Sequence, residues 1–104
     1  MSKSFGVEPY VVSYSGRVRE ELKVLLTRAM KRGAGQQFLD AAKEIDYRLR
    51  IYPQFGEPLC DVPAIKAKLL IATVPPLAVR YIVDEETRRV FVVVPLQALP
   101  NSGV

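Results

Sequence analysis

The 104-residue sequence predicts one α+β domain spanning 1–104, with the order β-α-α-β-β-β and a helix hairpin packed on one face of a small antiparallel sheet. Three observations predict it. Two apolar stripes at helical spacing follow one another between Gly16 and Tyr52. Two strongly β-forming runs, LAVRYIV at 77–83 and VFVVV at 90–94, flank a polar turn of hairpin length. The composition, 49% hydrophobic and 25% charged, is that of an ordinary globular chain large enough to fold without staples.

The segment VEPYVVSY at 7–14 is rich in β-branched and aromatic residues, and Pro9 confines a strand to the part after it, 10–13. Ser15 is a good N-cap for a first helix over 16–31, whose inner stripe is Val18, Leu22, Leu25, Leu26 and Ala29. Gly33 and Gly35 end it. They serve as a connector, because no Lys-Ser or Lys-Thr follows to make a phosphate loop. The second stripe, Phe38, Ala41, Ala42, Ile45 and Leu49, carries a helix to Tyr52, where Pro53 forbids another turn. Three prolines and a glycine in 53–63 predict irregular chain. Ile65, Ala67, Leu69 and Ile71 then alternate with Lys66 and Lys68 in a strand that becomes apolar on both faces and stops at Pro75-Pro76. The hairpin strands follow, and the tail from Pro95 reads as irregular.

Composition also excludes chemistry. The sequence has no histidine and a single cysteine, Cys60, so it has neither an internal disulfide nor a Cys/His zinc set, and lacks every Ser-His or Cys-His nucleophilic pair. No metal or cofactor is implied. Cys60 lies beside Asp61 with no positive neighbour in sequence, which makes it a buried or idle thiol rather than a nucleophile. No segment approaches the roughly 18 apolar residues that span a bilayer, so a cytoplasmic protein with no membrane partner is expected. Net charge is +4, and the stretch 17–32, with six bases and two acids, accounts for all of it. The first helix is the basic element.

The element order, the stretch Arg48-Leu49-Arg50-Ile51-Tyr52-Pro53, and the hairpin Val79-Arg80-Tyr81-Ile82-Val83-Asp84-Glu85-Glu86 followed by Val90-Phe91-Val92-Val93-Val94 resemble the RelE/ParE superfamily of type II toxin-antitoxin toxins. The resemblance implies a toxin-like, plasmid-stabilisation type of domain with a cognate antitoxin as partner, acting on the ribosome and its mRNA or on DNA gyrase. In the RNA-cleaving branch, a metal-independent endoribonuclease, it implies an arginine on the third strand, a second arginine after the last long strand and a C-terminal tyrosine, clustered on the concave sheet face. Arg80 corresponds to the strand arginine. After Val94 the chain reads Pro95-Leu96-Gln97-Ala98, and no Tyr, His, Lys or Arg follows Arg89. The two later catalytic positions are therefore empty, which points toward a toxin that does not cleave RNA, a non-catalytic binding module of the same fold, or a gyrase-inhibiting relative.

Arg80 is the one candidate catalytic residue. A charge in an apolar strand is expected either to form a structural ion pair, with Asp84, Glu85, Glu86 or a helix carboxylate, or to reach a phosphate on the open sheet face. Alternation puts Arg80 with Ala78 and Ile82, opposite Val79, Tyr81 and Val83. Arg17, Arg19, Lys23, Lys66, Lys68, Arg88 and Arg89 are candidates for binding nucleic acid or an acidic partner. The plainer expectation for the helix bases is a solvated face mixed with Glu20 and Glu21. Tyr47, Tyr52, Tyr81 and Phe91 are expected in the core rather than on a base-stacking platform.

Overall fold

A computed structural model describes residues 8–62 and 67–99. Strand β1 (Val11–Tyr14) leads through Ser15 into helix α1 (Gly16–Lys31). Ser15 has extended backbone, and its Oγ accepts the Val18 N–H at 3.2 Å, satisfying one of the helix's free amides. Helix α1 closes at Gly33, whose φ of +75° lies in the left-handed region that glycine enters without a Cβ clash. Helix α2 (Gly35–Ile51) follows and stops before Pro53, which begins a single 3-10 turn, Pro53–Phe55. Four strands complete the chain, β2 (Glu57–Val62), β3 (Ala67–Val74), β4 (Leu77–Asp84) and β5 (Arg89–Ala98).

The sheet order is β1-β5-β4-β3-β2. Three neighbouring pairs are antiparallel, while β1 runs parallel to β5, so the sheet is mixed rather than antiparallel as expected. A parallel neighbour needs a long connection, and everything between β1 and β5 supplies it. There are also five strands instead of four. The stretch expected to be irregular contains β2, an edge strand that tolerates Pro58 because one side of it has no partner to lose. A bulge at Leu59, between Pro58 and Cys60, adjusts its register on β3.

The tail also differs from expectation, because β5 continues through Pro95 to Ala98. Between Arg80 and Ala78 on β4, β5 runs from Val93 to Gln97, two residues more than its partner. Within that irregularity the Leu96 N–H is taken by Glu21 Oε1 of α1 at 2.9 Å, so a helix carboxylate replaces the missing strand partner.

Phe38, Ala41, Ile45 and Leu49 of α2 are buried against Leu70, Ala72, Val79, Tyr81, Val83, Val90 and Val92. On α1 only Val18 is fully buried, and Leu22, Leu25, Leu26 and Ala29 are partly so. Helix α2 is thus seated, whereas α1 lies more loosely. The Tyr81 ring is wholly buried, and its hydroxyl donates to the Pro53 carbonyl at 2.6 Å and accepts the Gly56 N–H at 3.1 Å. This fastens the turn between α2 and β2 to the sheet. Of the four aromatics expected in the core, only Tyr81 is there. Tyr47 and Tyr52 are 59% exposed and Phe91 37%, the first on the outer side of α2, the second at its end and the third on the face of the sheet away from the helices. No helix among the described residues is long and apolar enough to cross a membrane.

Candidate functional site

Alternation along β4 places Val79, Tyr81 and Val83 under the helices and leaves Arg80 and Ile82 on the open face. Register then builds the surroundings of Arg80. Ile71 of β3 and Val93 of β5 stand directly beside it. In the adjacent row Leu69, Ile82, Phe91 and Ser13 follow one another across four strands, with Cys60 opposite Leu69 at the edge. Cys60 is exposed. In a third row Arg89 lies between Asp84 and the exposed Val11. The open face is therefore an apolar patch with one guanidinium at its middle and another roughly 14 Å away, reckoned at about 3.3 Å per residue along β5 and about 4.8 Å between strands.

Arg80 forms no ion pair within 4.0 Å with any described carboxylate, and its one polar contact is Nη1 to the Pro95 carbonyl at 3.5 Å. The structural ion pair expected from sequence is absent among the described residues, and most of the acids named for it are engaged elsewhere. Asp84 Oδ1 accepts the N–H groups of Glu86 and Thr87 in the hairpin turn, at 3.1 and 3.3 Å. Glu85 accepts from the Tyr10 hydroxyl at 3.2 Å and from Gln54 at 2.9 Å. Glu44 and Asp46 of α2 pair with Arg48 and Arg50, acid preceding base by four residues. The Arg80 charge is thus available to a partner, its stem lying between Ile71 and Val93. The two side chains directly beside it in register are apolar, so the site can hold an anion, while neither of these neighbours can move a proton. Among the described residues, no three His, Cys, Asp or Glu side chains gather as a metal site would require.

The other candidate bases are not gathered on one surface. Arg17 shares a groove with Ser13, Phe91 and Val93 and so borders the open face. Arg19 lines a cleft between the helices. Lys23 pairs with Glu20 at 3.7 Å with both groups exposed, and Glu21 serves β5, so the mixing of bases and acids on α1 is confined to that one pair. Lys68 sits near Gln54 and Glu85, at one end of the sheet. Arg88 is structural. Its guanidinium stacks 4.3 Å over the Tyr10 ring, it donates to the Glu8 carbonyl, and it holds the hairpin turn with φ of +55°. Lys66 lies outside the described residues. Arg28 and Arg32 line another groove with Phe38 and Pro76, a placement that the distance between these elements in sequence concealed.

Two tyrosines have perturbed hydroxyls. Burial, with a hydrogen bond to Asp46, raises the Tyr14 hydroxyl well above its ordinary range. Burial pushes Tyr81 up to about 12, against the opposing pull of the Gly56 N–H. For Asp46 partial burial favours the neutral acid, but the hydrogen bonds from Arg50 and Tyr14 and the Arg50 charge outweigh it and hold the carboxyl below its usual value. The Asp46 hydrogen bond raises Arg50 in turn. Both tyrosines are therefore neutral at neutral pH and act as donors within the fold. No family model, no curated protein and no solved structure matches the chain.

Proposed function

We propose that this chain is a toxin-like component of a type II toxin-antitoxin pair of the RelE/ParE kind, working in the cytoplasm through protein contacts of its open sheet face rather than by cleaving RNA. The observation that carries the reading is Arg80, a guanidinium without an ionic partner among the described residues at the centre of an apolar sheet face. An antitoxin segment that combines apolar and acidic side chains would cover Leu69, Ile82, Phe91 and Val93 while pairing with Arg80 and Arg89. The two helices on the opposite face agree with the resemblance that the sequence carries. Phosphate binding alone would use Arg80, but hydrolysis of an RNA backbone needs acid-base help, commonly worth about 10²–10⁴-fold, which the residues beside Arg80 do not supply.

Induced expression in a bacterial host tests the reading. The wild-type chain is expected to arrest growth, Phe91→Asp and Arg80→Glu to abolish the arrest while remaining folded, and mRNA from arrested cells to remain uncut. Supercoiling and translation assays with purified protein then assign the target. Growth unaffected by folded, expressed wild-type chain would sink the toxin reading and leave a binding module of the same fold. Cleaved mRNA would refute the non-catalytic part.

A further inference from the structure

A cleft of about 260 Å³ opens where α1 lies loosely over α2 and the sheet. Its walls are Leu22 of α1, Ala42 and Ile45 of α2, Val79 of β4, and Val92 and Leu96 of β5. Protein interiors leave few voids larger than a water molecule, and apolar walls give water nothing to bond to, so a space of this size and lining suits an apolar occupant. The cleft is larger than the roughly 150 Å³ apolar cavity known to stay dry and to take a benzene-sized guest, so it has room for a short aliphatic chain.

The polar side chains among its lining residues are Arg19 and Tyr14. The Tyr14 hydroxyl is committed to Asp46, and Asp46 also accepts from Arg50. The two acids beside Arg19 in sequence are engaged as well, Glu20 with Lys23 and Glu21 with the Leu96 amide. Arg19 has no ionic partner within 4.0 Å among the described residues. The cleft therefore pairs an apolar interior with one uncompensated positive charge.

We infer that the cleft between α1, α2 and the sheet binds a small aliphatic anion, a medium-chain carboxylate whose tail lies against Leu22, Ala42, Ile45 and Val79 and whose head group pairs with Arg19. This site lies on the helix side of the sheet and is independent of the function proposed for the open face. Octanoate, kept below its micelle concentration, is the probe, and octan-1-ol is its neutral counterpart. Titration followed by methyl NMR is expected to shift Leu22, Ile45 and Val79 saturably at one site. Arg19→Gln is expected to weaken octanoate about two- to fivefold, the upper part of the range of an exposed ion pair, and to leave octan-1-ol unchanged. Ala42→Leu, which fills the cleft, is expected to abolish both, with Ala42→Val as the milder variant should the larger one fail to fold. Absence of saturable shifts with octanoate overturns the proposal, as does binding that survives a folded cleft-filling variant. An equal loss of both probes in Arg19→Gln, or none, overturns the assignment of an anion.

Discussion

Replacing Tyr81 by phenylalanine removes one oxygen from the centre of the molecule and leaves the ring in place. That oxygen donates to the Pro53 carbonyl at 2.6 Å and accepts the Gly56 N–H at 3.1 Å. Pro53 is buried, so its carbonyl would be left without water, whereas Gly56 is partly exposed and its amide can be hydrated. An unsatisfied buried polar group costs about 1–3 kcal/mol, and the second bond adds the smaller net value of about 1 kcal/mol, so Tyr81→Phe is expected to lose about 2–4 kcal/mol. At this chain length that corresponds to a fall in Tm of about 10–20 °C. Gly56→Ala probes the same oxygen from the other side. A Cβ at Gly56 would overlap the Tyr81 hydroxyl and lie 2.9 Å from the Ile71 carbonyl, so it is expected to cost about 1–3 kcal/mol. Because both changes act on one hydroxyl, the double variant should lose less than the sum by about 0.5 kcal/mol or more. Urea denaturation of the four proteins, with Tyr47→Phe as an exposed control, measures the cycle. A Tyr81→Phe protein within about 0.5 kcal/mol of wild type, the range of an ordinary surface change, would refute the reasoning, as would strict additivity.

Ser15→Ala removes the side-chain acceptor at the start of α1 and is expected to lower stability by about 1 kcal/mol, with Ser15→Asp retaining it, as read by urea denaturation. Arg88→Ala should cost about 1–2 kcal/mol by losing the stack on Tyr10 and the bond to the Glu8 carbonyl. Arg88→Gly should cost less, since glycine takes a φ of +55° freely; thermal melts of the two variants compare them. The ionised Asp46 carboxyl stabilises the fold above the ordinary carboxylate range, and that contribution is lost as pH falls through its lowered folded value. Asp46→Asn should flatten the acid limb of a stability-pH profile. The buried Tyr81 and Tyr14 hydroxyls give the opposite limb. The unfolded chain releases those protons near pH 10 while the folded chain keeps them, so stability is full below about 10 and falls as pH rises toward the folded value of about 12 for Tyr81. Tyr81→Phe should make that alkaline limb shallower.

Elements whose reasons are local were legible in the sequence. Helix α1 is bounded by the Ser15 cap and by Gly33, helix α2 by Pro53, and the β4–β5 hairpin by two β-branched runs around Asp84, whose side chain makes the turn it signals. Where the reasons are distant, the sequence misled. Glu57, Pro58 and Asp61 look like loop residues, and β2 exists because β3 offers an edge to pair with. Pro95 looks like a stop, and β5 passes it because Glu21, far away in sequence, supplies the acceptor for Leu96.

The site divides in the same way. Alternation alone put Arg80 and Ile82 on one face of β4 and Tyr81 on the other, since a pleated strand has no other choice. Which face the helices cover was undecided, because both faces carry apolar residues, and only packing answered it. The same packing sent Asp84 and Glu85 to the turn and to Tyr10, leaving Arg80 without a carboxylate among the described residues, and left a cleft beneath Leu22. The sequence by itself determined the two helices, the β4–β5 hairpin, the alternation of faces along β4 and the charge of the first helix, all fixed by neighbours a few residues apart. Strand order, the parallel pairing of β1, the partners of each charge and the space between the helices depend on contacts between residues as far apart as Tyr10 and Glu85, and these only the tertiary structure decided.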